Sequence, residues 1–402
     1  MPNSRVWRKN LWVCAIVAFI VSSGMSQFAP VLPLYIVELG VTDTEDISRW
    51  SGIIFGCNFI SLALISPFWG ALADRRGRKL MVLRATLWIS LCTFLMGMAQ
   101  NVWQLAALRV AQGLLSGFQG ALFPLVMSMV PQKRSSWAMS VLVTGIVSGT
   151  LIGPLIGGWI STSAGLRENF IFMAICTFVG FFLILFLVHE QFTPPADEKG
   201  TRWIEHFMFP VDRPLLLLFL TTFATQFALM SVAPVITVYV TQLAPDSESP
   251  ALLAGSVFAA TGIASLFFAT KVGRFLDAHT PARVLPWCIF CTGLLCIPQA
   301  FVNNVFELGG LRFLFGVTSV GILPALNSLI KCHMSEKYLA RASSVNFSHQ
   351  AFGIFLGSVM GGFIASYSGV EYVFLCSACL LFLNAMIFYL LFPKQTKPQE
   401  KA

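Results

Sequence analysis

Polar side chains recur along one stretch of the chain that is otherwise apolar. Their spacing of three and four residues would place them on a single face of a helix. The residues are Arg109, Gln112, Ser116 and Gln119. An arginine inside a membrane helix costs at least about 2.5 kcal/mol, so Arg109 should face protein or water and serve a function. A structural arginine bonded to backbone carbonyls is the alternative.

Glycines at four-residue spacing follow in the next stretch. Gly149, Gly153 and Gly157 lie one helical turn apart, and Pro154 and Gly158 complete the sequence. Such glycines give a helix a smooth face that a second helix can approach closely, and the proline bends the helix locally. These residues are candidates for gating, with packing alone as the alternative.

The patterns of common enzymes are absent from the sequence. It contains no GxSxG, HExxH or GxxxxGK[ST] motif. Cys288/Cys291 and Cys376/Cys379 have CxxC spacing, but no acid or histidine lies near them, which favours packing over a metal or redox site. We therefore expect no enzymatic activity, no catalytic residue, no bound metal and no cofactor.

The segments that must position these residues are strongly apolar. Of 402 residues, 56% are hydrophobic and 11% are charged, against roughly 25% charged in a soluble domain. Because about 20 apolar residues cross a bilayer as a helix, twelve long uncharged runs predict an all-α membrane protein with twelve transmembrane helices. The runs are 10–37, 50–73, 85–108, 110–132, 135–166, 169–188, 214–245, 249–270, 284–306, 313–330, 342–370 and 372–393.

The basic residues orient these helices. An even number of spans places both termini on one side, and with that side cytoplasmic all but four of the 26 Lys and Arg lie in tails or inner loops. Arg49 and Arg167 lie outside, and Arg109 and Arg312 lie within spans. This bias predicts a multi-pass protein of the cytoplasmic (inner) membrane with both termini cytoplasmic. It also explains the net charge of +8 without a nucleic-acid partner.

The two halves of the chain repeat at an offset of 203 or 204 residues. Because each copy holds six spans, the copies share one orientation and form two pseudo-symmetric six-helix bundles. The predicted domains are an N-terminal bundle (1–188), a cytoplasmic linker (189–213) and a C-terminal bundle (214–402). The matched residues are Gly70 with Gly273, Asp74 with Asp277, Arg109 with Arg312, Gly113 with Gly316, Ser23 with Gln226, and Gly149, Gly153, Gly157 and Gly158 with Gly353, Gly357, Gly361 and Gly362.

The linker contains apolar residues at helical spacing. Trp203, Ile204, Phe207 and Met208 suit a short helix on the inner membrane surface, with a flexible tether as the alternative.

Two bundles that face each other across a midplane site are typical of an alternating-access transporter. A channel is disfavoured, because no selectivity filter and no ring-forming carboxylate is present.

The loop after the second span reads GALADRRGRK over residues 70–79. It resembles the signature loop of the major facilitator superfamily, G-x-L-A-D-R-x-G-R-K, at every defined position. The resemblance implies that Asp74, supported by Gly70, Gly77 and Arg78, contacts the eleventh span and latches the outward-open state. Around Asp277 the basic turn is lost, so we expect a weaker latch in the second copy.

Two further segments resemble the same superfamily. Residues 105–113, LAALRVAQG, resemble a motif that is linked there to proton coupling through its arginine, here Arg109. Residues 149–158 resemble the g-x-x-x-G-P-x-x-G-G element of its exporters. The resemblance covers the whole chain and is stronger still to twelve-span drug:proton antiporters, which implies proton-coupled export of drugs or toxic metabolites.

The spans contain no acidic residue at depth, although many proton-coupled exporters bind their proton on a buried carboxylate. All 18 acids lie in loops, in tails or near span ends. The remaining titratable candidates are Asp74, Glu38 and His349. For His349, a neutral hydrogen-bonded core histidine is the favoured alternative.

Six polar residues are expected near the substrate cavity, and two intramembrane arginines without acids would suit an anionic or zwitterionic substrate. Two functions remain open: proton-coupled efflux of drugs or toxic small molecules, and a dedicated carrier, exporter or importer, of an anionic metabolite such as a siderophore or organic acid. In either case the expected partners are the lipid bilayer and a small-molecule substrate, and the chain should be a monomer. The six residues are Ser23, Gln27, Asn58, Arg109, Gln112 and Gln226.

Overall fold

The computed structural model describes residues 4–190, 211–334 and 336–393, and over these ranges the protein is helical without a strand. Sixteen α-helices are present in these ranges. They are α1 (Ser4–Ser26), α2 (Phe28–Glu38), α3 (Thr44–Arg76), α4 (Arg78–Gly97), α5 (Val102–Leu115), α6 (Phe118–Met129), α7 (Ser135–Ser163), α8 (Leu166–Leu187), α9 (Arg213–Val232), α10 (Ile236–Leu243), α11 (Pro250–Ala278), α12 (Pro281–Gln299), α13 (Val305–Ser319), α14 (Ile322–His333), α15 (Glu336–Ser368) and α16 (Val370–Leu391).

Within the described ranges, twelve segments are long and apolar enough to span a bilayer, so the protein is a multi-pass membrane protein. Four spans are each built from two helices. These are the first (α1 and α2), the fourth (α5 and α6), the seventh (α9 and α10) and the tenth (α13 and α14). The interruptions recur every third span and in both halves, as a repeated sequence requires. The surface helix predicted for residues 203–208 lies outside the described residues.

The boundaries of the third and fourth spans differ from the prediction. The runs 85–108 and 110–132 are separated by Arg109, but the chain turns at residues 98–101 and Arg109 lies inside α5. Asn101 sets this boundary, because its side chain accepts a hydrogen bond from the backbone N–H of Gln104 at 2.9 Å. Asn304 caps α13 in the same way through Glu307. Helix ends follow caps, and a charged residue in an apolar run does not end a helix.

Following the sequence repeat, we call α1–α8 the first bundle and α9–α16 the second bundle. We call the end that carries Ser4, Val188 and Pro393 the terminal face. The end that carries the α2–α3 and α15–α16 turns is the opposite face. Within each bundle the tightest packing is between repeat-equivalent pairs, α1 against α7 and α9 against α15.

The described residues form three apolar cores, and their distribution defines the conformation. One core lies near the opposite face and joins both bundles, with Tyr35 and Ile54 from the first and Tyr239 and Phe374 from the second. The other two lie near the terminal face, and each draws on one bundle alone. The bundles meet through α3 with α15 and α7 with α11. They are therefore closed against each other at the opposite face, and each keeps its own core towards the terminal face.

Candidate functional site

The glycine face of α7 packs directly on α1. A Cβ built on Gly153 would lie 2.8 Å from the Cα of Ser23, and one on Gly157 would lie 2.6 Å from the Cβ of Gln27. Real Cβ atoms do not approach other atoms so closely, so only glycine fits without a shift of the helices. The predicted close packing of this face is confirmed.

The last glycine of the row turns to the other bundle. A Cβ on Gly158 would lie 2.6 Å from the carbonyl oxygen of Ala251 on α11, and Gly255 on α11 faces the carbonyl of Pro154. At the second interface, a Cβ on Gly362 would lie 2.5 Å from the carbonyl of Ser48, and Gly52 faces the carbonyl of Ser358. Both contacts between bundles are thus backbone contacts made possible by paired glycines.

These contacts also correct one detail of the repeat. Gly149 meets Ser22, and its counterpart Gly353 meets the Cβ of Gln226 at 3.1 Å. Gln226 is therefore the counterpart of Ser22, and the match of Ser23 with Gln226 is wrong. The offset in this helix is 204, and Ser23 corresponds to Phe227, which meets Gly357.

Arg109 is buried, with 3% of its surface exposed, and its guanidinium is well partnered. Its Nη1 donates to Oε1 of Gln112 at 2.7 Å, and its Nε lies 3.5 Å from the carbonyl of Ile54. The guanidinium carbon lies 3.7 Å from the ring centre of Phe28, within cation–π range. Gln112 in turn donates to the hydroxyl of Thr93 at 3.2 Å. Arg109, expected to face protein or water, faces protein, and its functional role stays a prediction.

A cavity of about 10 Å³ lies beside this network, between α1, α2, α4, α5 and α8. Its polar lining comes from Arg109, Gln112, Thr93 and Thr177. Asn58 lies behind Arg109 and donates to its backbone carbonyl at 3.3 Å. Arg109, Gln112 and Asn58 therefore form one polar cluster at the contact of α3, α4 and α5.

The other predicted cavity residues do not join this cluster. Ser23 on α1 and Gln27, which directly follows α1, face α7, and Gln226 lies in the α9–α15 contact of the second bundle; each is 2% exposed. Among the described residues, Ser23 Oγ and Gln27 Oε1 have no hydrogen-bond partner. The assignment of these residues to a substrate cavity stays a prediction.

His349 lies within the second bundle. Its ring stacks on Phe219 with centres 5.2 Å apart, and its Nδ1 is 2.8 Å from the carbonyl of Val345 on its own helix. The neighbouring Asn346 contacts Asn327 at 3.4 Å rather than the histidine. In the described part of the chain, no three His, Cys, Asp or Glu side chains gather as metal ligands would.

The comparison with known proteins decides the family. The model of the Major Facilitator Superfamily matches residues 11–277 and 218–402. The chain belongs to the major facilitator superfamily. It is 40% identical over 387 residues to the multidrug resistance protein MdtG of Serratia proteamaculans, with 96% of this chain and 94% of that protein covered. It is 37% identical over 401 residues to MdtG of Proteus mirabilis, covering 100% of this chain and 99% of the relative.

A solved structure of the same fold is a bacterial homologue of the human lysosomal transporter Spinster, captured in an inward-facing and occupied conformation. The TM-score is 0.80 at 13% identity, over 96% of this chain and 97% of that one. At this identity the likeness establishes the major facilitator fold alone.

The superfamily's signature loop is partly described. Gly77 has a φ of 95°, a conformation that favours glycine, and it separates α3 from α4. Arg78 donates from Nη1 to the carbonyl of Pro124 at 3.0 Å, which ties the loop to α6. The surroundings of Gly70 and the side chains of Asp74 and Asp277 lie outside the described part, so their latch role stays a prediction.

Sequence reasoning missed the residue that caps α4. The carboxylate of Glu190, which follows α8, accepts the backbone N–H groups of Arg78 at 3.0 Å and Lys79 at 2.9 Å. An acid at a helix N-terminus pairs with unsatisfied N–H groups and with the positive end of the helix dipole. Because Glu190 is distant in sequence from α4, no local motif points to it.

The polar stripe predicted in the fourth span is interrupted. Gly117, with a φ of 79°, breaks the span between α5 and α6, and Gln119 is exposed beyond the break. The stripe therefore ends at Ser116, because the two helices do not share one rotational register. In the sequence, the glycine that directly follows Ser116 is the feature that could have indicated this break.

Two side chains satisfy carbonyls near this break. Trp69 donates from Nε1 to the carbonyl of Leu114 at 2.8 Å, and Arg84 donates from Nη2 to that of Ser116 at 2.7 Å. The Arg84 guanidinium carbon lies 3.2 Å from the Trp69 ring centre. The uncharged runs place Arg84 in an inner loop, and this is wrong, because Arg84 lies inside α4.

Proposed function

We propose that this protein is a secondary active transporter that exports drugs or other toxic small molecules in exchange for protons, by alternating access. The supporting observation is that the bundles share one apolar core at the opposite face while each keeps its own core at the terminal face. A pair of bundles that closes at one end only can expose a site between them to one side at a time. The relatives named multidrug resistance proteins support export of drugs.

The orientation of the protein in the membrane follows from the distribution of its basic residues between the two faces. Arg78, Arg134 and Arg213 lie at the terminal face, and the opposite face carries Arg49 and Arg167. Under the positive-inside rule the terminal face is cytoplasmic, in the inner membrane of a bacterium. On this assignment the present conformation opens to the cytoplasm, the side from which an exporter takes its substrate.

The glycine interfaces suit such a cycle. The contacts of Gly158 with Ala251 and of Gly362 with Ser48 are backbone contacts, which separate without the unpacking of large side chains. Opening the opposite face would part both interfaces together. The cluster of Arg109 and Gln112 would contribute polar contacts to the substrate or to the proton step.

The coupling residue is chosen from few candidates. Glu38 forms an ion pair with Arg167, with Oε1 and Nε 2.6 Å apart, at the face away from the cytoplasm. His349 is half-buried, and its ring stacks on Phe219. Asp74, next to the inner end of α3, is our first choice, because it belongs to the loop that closes the terminal face in the superfamily.

The test is transport in inverted membrane vesicles with an imposed pH gradient, using a panel of fluorescent drugs of negative, neutral and positive charge. We expect uptake of several compounds, driven by an acidic interior and abolished by a protonophore. The control is vesicles that contain the Gly153→Val variant at equal expression. Transport that ignores the pH gradient and follows the gradient of a single organic anion would contradict the proposal and favour a dedicated metabolite carrier.

A further inference from the structure

A polar contact between side chains joins the two bundles at the opposite face. Arg49 of α3 donates from Nε to the hydroxyl of Ser366 on α15 at 2.6 Å. Its guanidinium carbon also lies 4.7 Å from the ring centre of the neighbouring Tyr367. We propose that Arg49 is a gate residue that holds this face closed, and that its contact with Ser366 and Tyr367 must break once in each transport cycle. The proposal rests on the alternating-access part of the proposed function.

The guanidinium is held in position by its own helix. Its Nη1 lies 3.2 Å from Oδ1 of Asp46, and its Nη2 lies 3.6 Å from Oε2 of Glu45. These acids precede Arg49 by three and four residues, the spacing at which helix side chains meet. They direct Nε and the ring-facing surface of the guanidinium towards the second bundle. Arginine suits this task because its planar fork serves several partners at once, which lysine does not.

The partner side adds a second attraction. Ser366 and Tyr367 lie in the last turn of α15, which ends at Ser368. The C-terminal end of a helix carries partial negative charge, so a cation beside it is stabilised. Tyr367 contributes its ring face although its side chain is exposed. The contact therefore needs the two bundles together and is lost when they separate.

The pseudo-symmetric interface between α7 and α11 is built differently. The position equivalent to Arg49 is Leu252 on α11, which has no charge to offer, and the positions equivalent to Ser366 and Tyr367 are Thr162 and Ser163 on α7. The hydroxyls of Thr162 and Ser163 bond to carbonyls of their own helix, Gly158 and Trp159. The arginine contact is thus a property of the α3–α15 interface that the repeat does not reproduce.

The expected strength suits a gate. The Arg49 side chain is 29% exposed, and ion pairs and polar contacts at exposed sites shift an equilibrium by about two- to fivefold. A contact of this size biases the closed state without trapping it, and a transporter must populate both states.

The experiment measures the separation of the bundles at this face by pulsed electron paramagnetic resonance. Spin labels are placed at Gln100 and Asn303, which are exposed, repeat-equivalent and on different bundles. The background has its ten native cysteines replaced. The variants are Arg49→Ala, Tyr367→Leu and the double variant. The control is Arg167→Ala, which removes the other arginine of this face, whose ion pair with Glu38 stays within the first bundle.

We expect Arg49→Ala and Tyr367→Leu each to raise the ratio of long to short distances by about two- to fivefold. The double variant should match Arg49→Ala within the measurement error, because Arg49→Ala already removes the contacts with both Ser366 and Tyr367. Arg167→Ala should match the parent. A parent-like distribution in Arg49→Ala, or an equal shift in Arg167→Ala, would overturn the proposal.

The experiment includes a substitute for a variant that does not fold, and it is independent of drug export. If Arg49→Ala does not fold, as judged by size-exclusion chromatography, then Ser366→Ala and Tyr367→Leu decide in its place, and parent-like distributions in both would overturn the proposal. The distances are measured without substrate. A failure of drug export in vesicles therefore leaves this measurement intact, and the two failures can be told apart.

Discussion

The two bundles share one backbone plan but surround their buried arginines differently. The backbone carbonyls of Arg109 and Arg312 are bonded by repeat-equivalent side chains, Asn58 and Thr261, and Gly113 and Gly316 allow the same helix approach. The guanidinium of Arg109 reaches Gln112, whereas the residue three after Arg312 is Phe315.

The consequence is a difference in chemistry. Arg312 lies within cation–π range of Phe315 and Phe374, and its Nε and Nη2 have no hydrogen-bond partner among the described residues. The repeat has preserved the helix contacts and changed the polar side chains. The first bundle therefore carries a buried cation with hydrogen-bond partners, and the second carries a buried cation among aromatic rings.

The largest effect on transport and stability is expected for substitutions at glycines that pack in the same way in both bundles. Gly153→Val and its counterpart Gly357→Val should both disable transport and lower stability by roughly 1–3 kcal/mol, because each Cβ would overlap the facing helix. Gly310→Val is the matched control, since no described atom lies within 4 Å of a Cβ there. Efflux and thermal unfolding in detergent check this. Normal values for only one of the two glycine variants would break the symmetry of the backbone plan.

Substitution of the two buried arginines, Arg109 and Arg312, should show the clearest difference between the bundles. Arg109→Met should reduce transport at least about tenfold, because it leaves Gln112 without its charged partner, a loss of about 1–3 kcal/mol. Arg109→Lys should restore only part of the activity, because lysine lacks the planar fork. Arg312→Met should keep stability near that of the parent, because a buried charge without hydrogen-bond partners can be replaced by an apolar residue of similar volume. Equal loss of transport and stability in both Met variants would refute this difference.

Substitutions in the two copies of the signature loop should also affect transport more strongly in the first bundle than in the second. Asp74→Asn should keep the fold but slow efflux several-fold, because it removes a charge expected to stabilise one access state, about 1 kcal/mol at a helix terminus. Asp277→Asn should have a smaller effect, because the second copy has Ala-His-Thr-Pro at 278–281 where the first has the basic turn Arg-Arg-Gly-Arg at 75–78. Efflux rates at matched membrane expression test this order, and wild-type efflux in Asp74→Asn would remove the latch.

The cap of α4 gives a smaller, local difference. Glu190→Gln should lower stability by about 1 kcal/mol, because the amide keeps one acceptor oxygen and loses the charge at the helix N-terminus. The equivalent helix α12 begins with Pro281, which needs no such acceptor at its first position. Thermal unfolding of Glu190→Gln beside Asp246→Asn, a change to an exposed acid between α10 and α11, measures the effect, and an equal change in both variants would argue against a specific cap.

The smallest effect is expected at His349. Its half-buried ring is stacked on Phe219, and its Nδ1 lies 2.8 Å from a carbonyl of its own helix, so His349→Gln should leave the pH profile of efflux unchanged. The profile is measured from about pH 5 to about pH 8. A profile that flattens or moves in this variant would place proton coupling in the second bundle.

The sequence by itself determined the number of spans, the repeat and the glycine faces. Hydropathy and helical spacing are properties of neighbouring residues, so runs of apolar residues and glycines such as Gly149 and Gly153 can be read along the chain. The resemblance of three motifs to one superfamily then indicated the class of protein. Arg109 could be selected because a charge in an apolar helix is costly wherever the helix lies.

Only the tertiary structure decided which distant groups meet. Glu190 caps α4, Arg84 supports the break beside Ser116, and Arg49 reaches Ser366 in the other bundle, all across large separations in sequence. The tertiary structure also decided at which face the bundles are closed. Both access states use the same helices, so local sequence patterns do not distinguish them, and the balance depends on contacts between residues that the chain alone does not bring together.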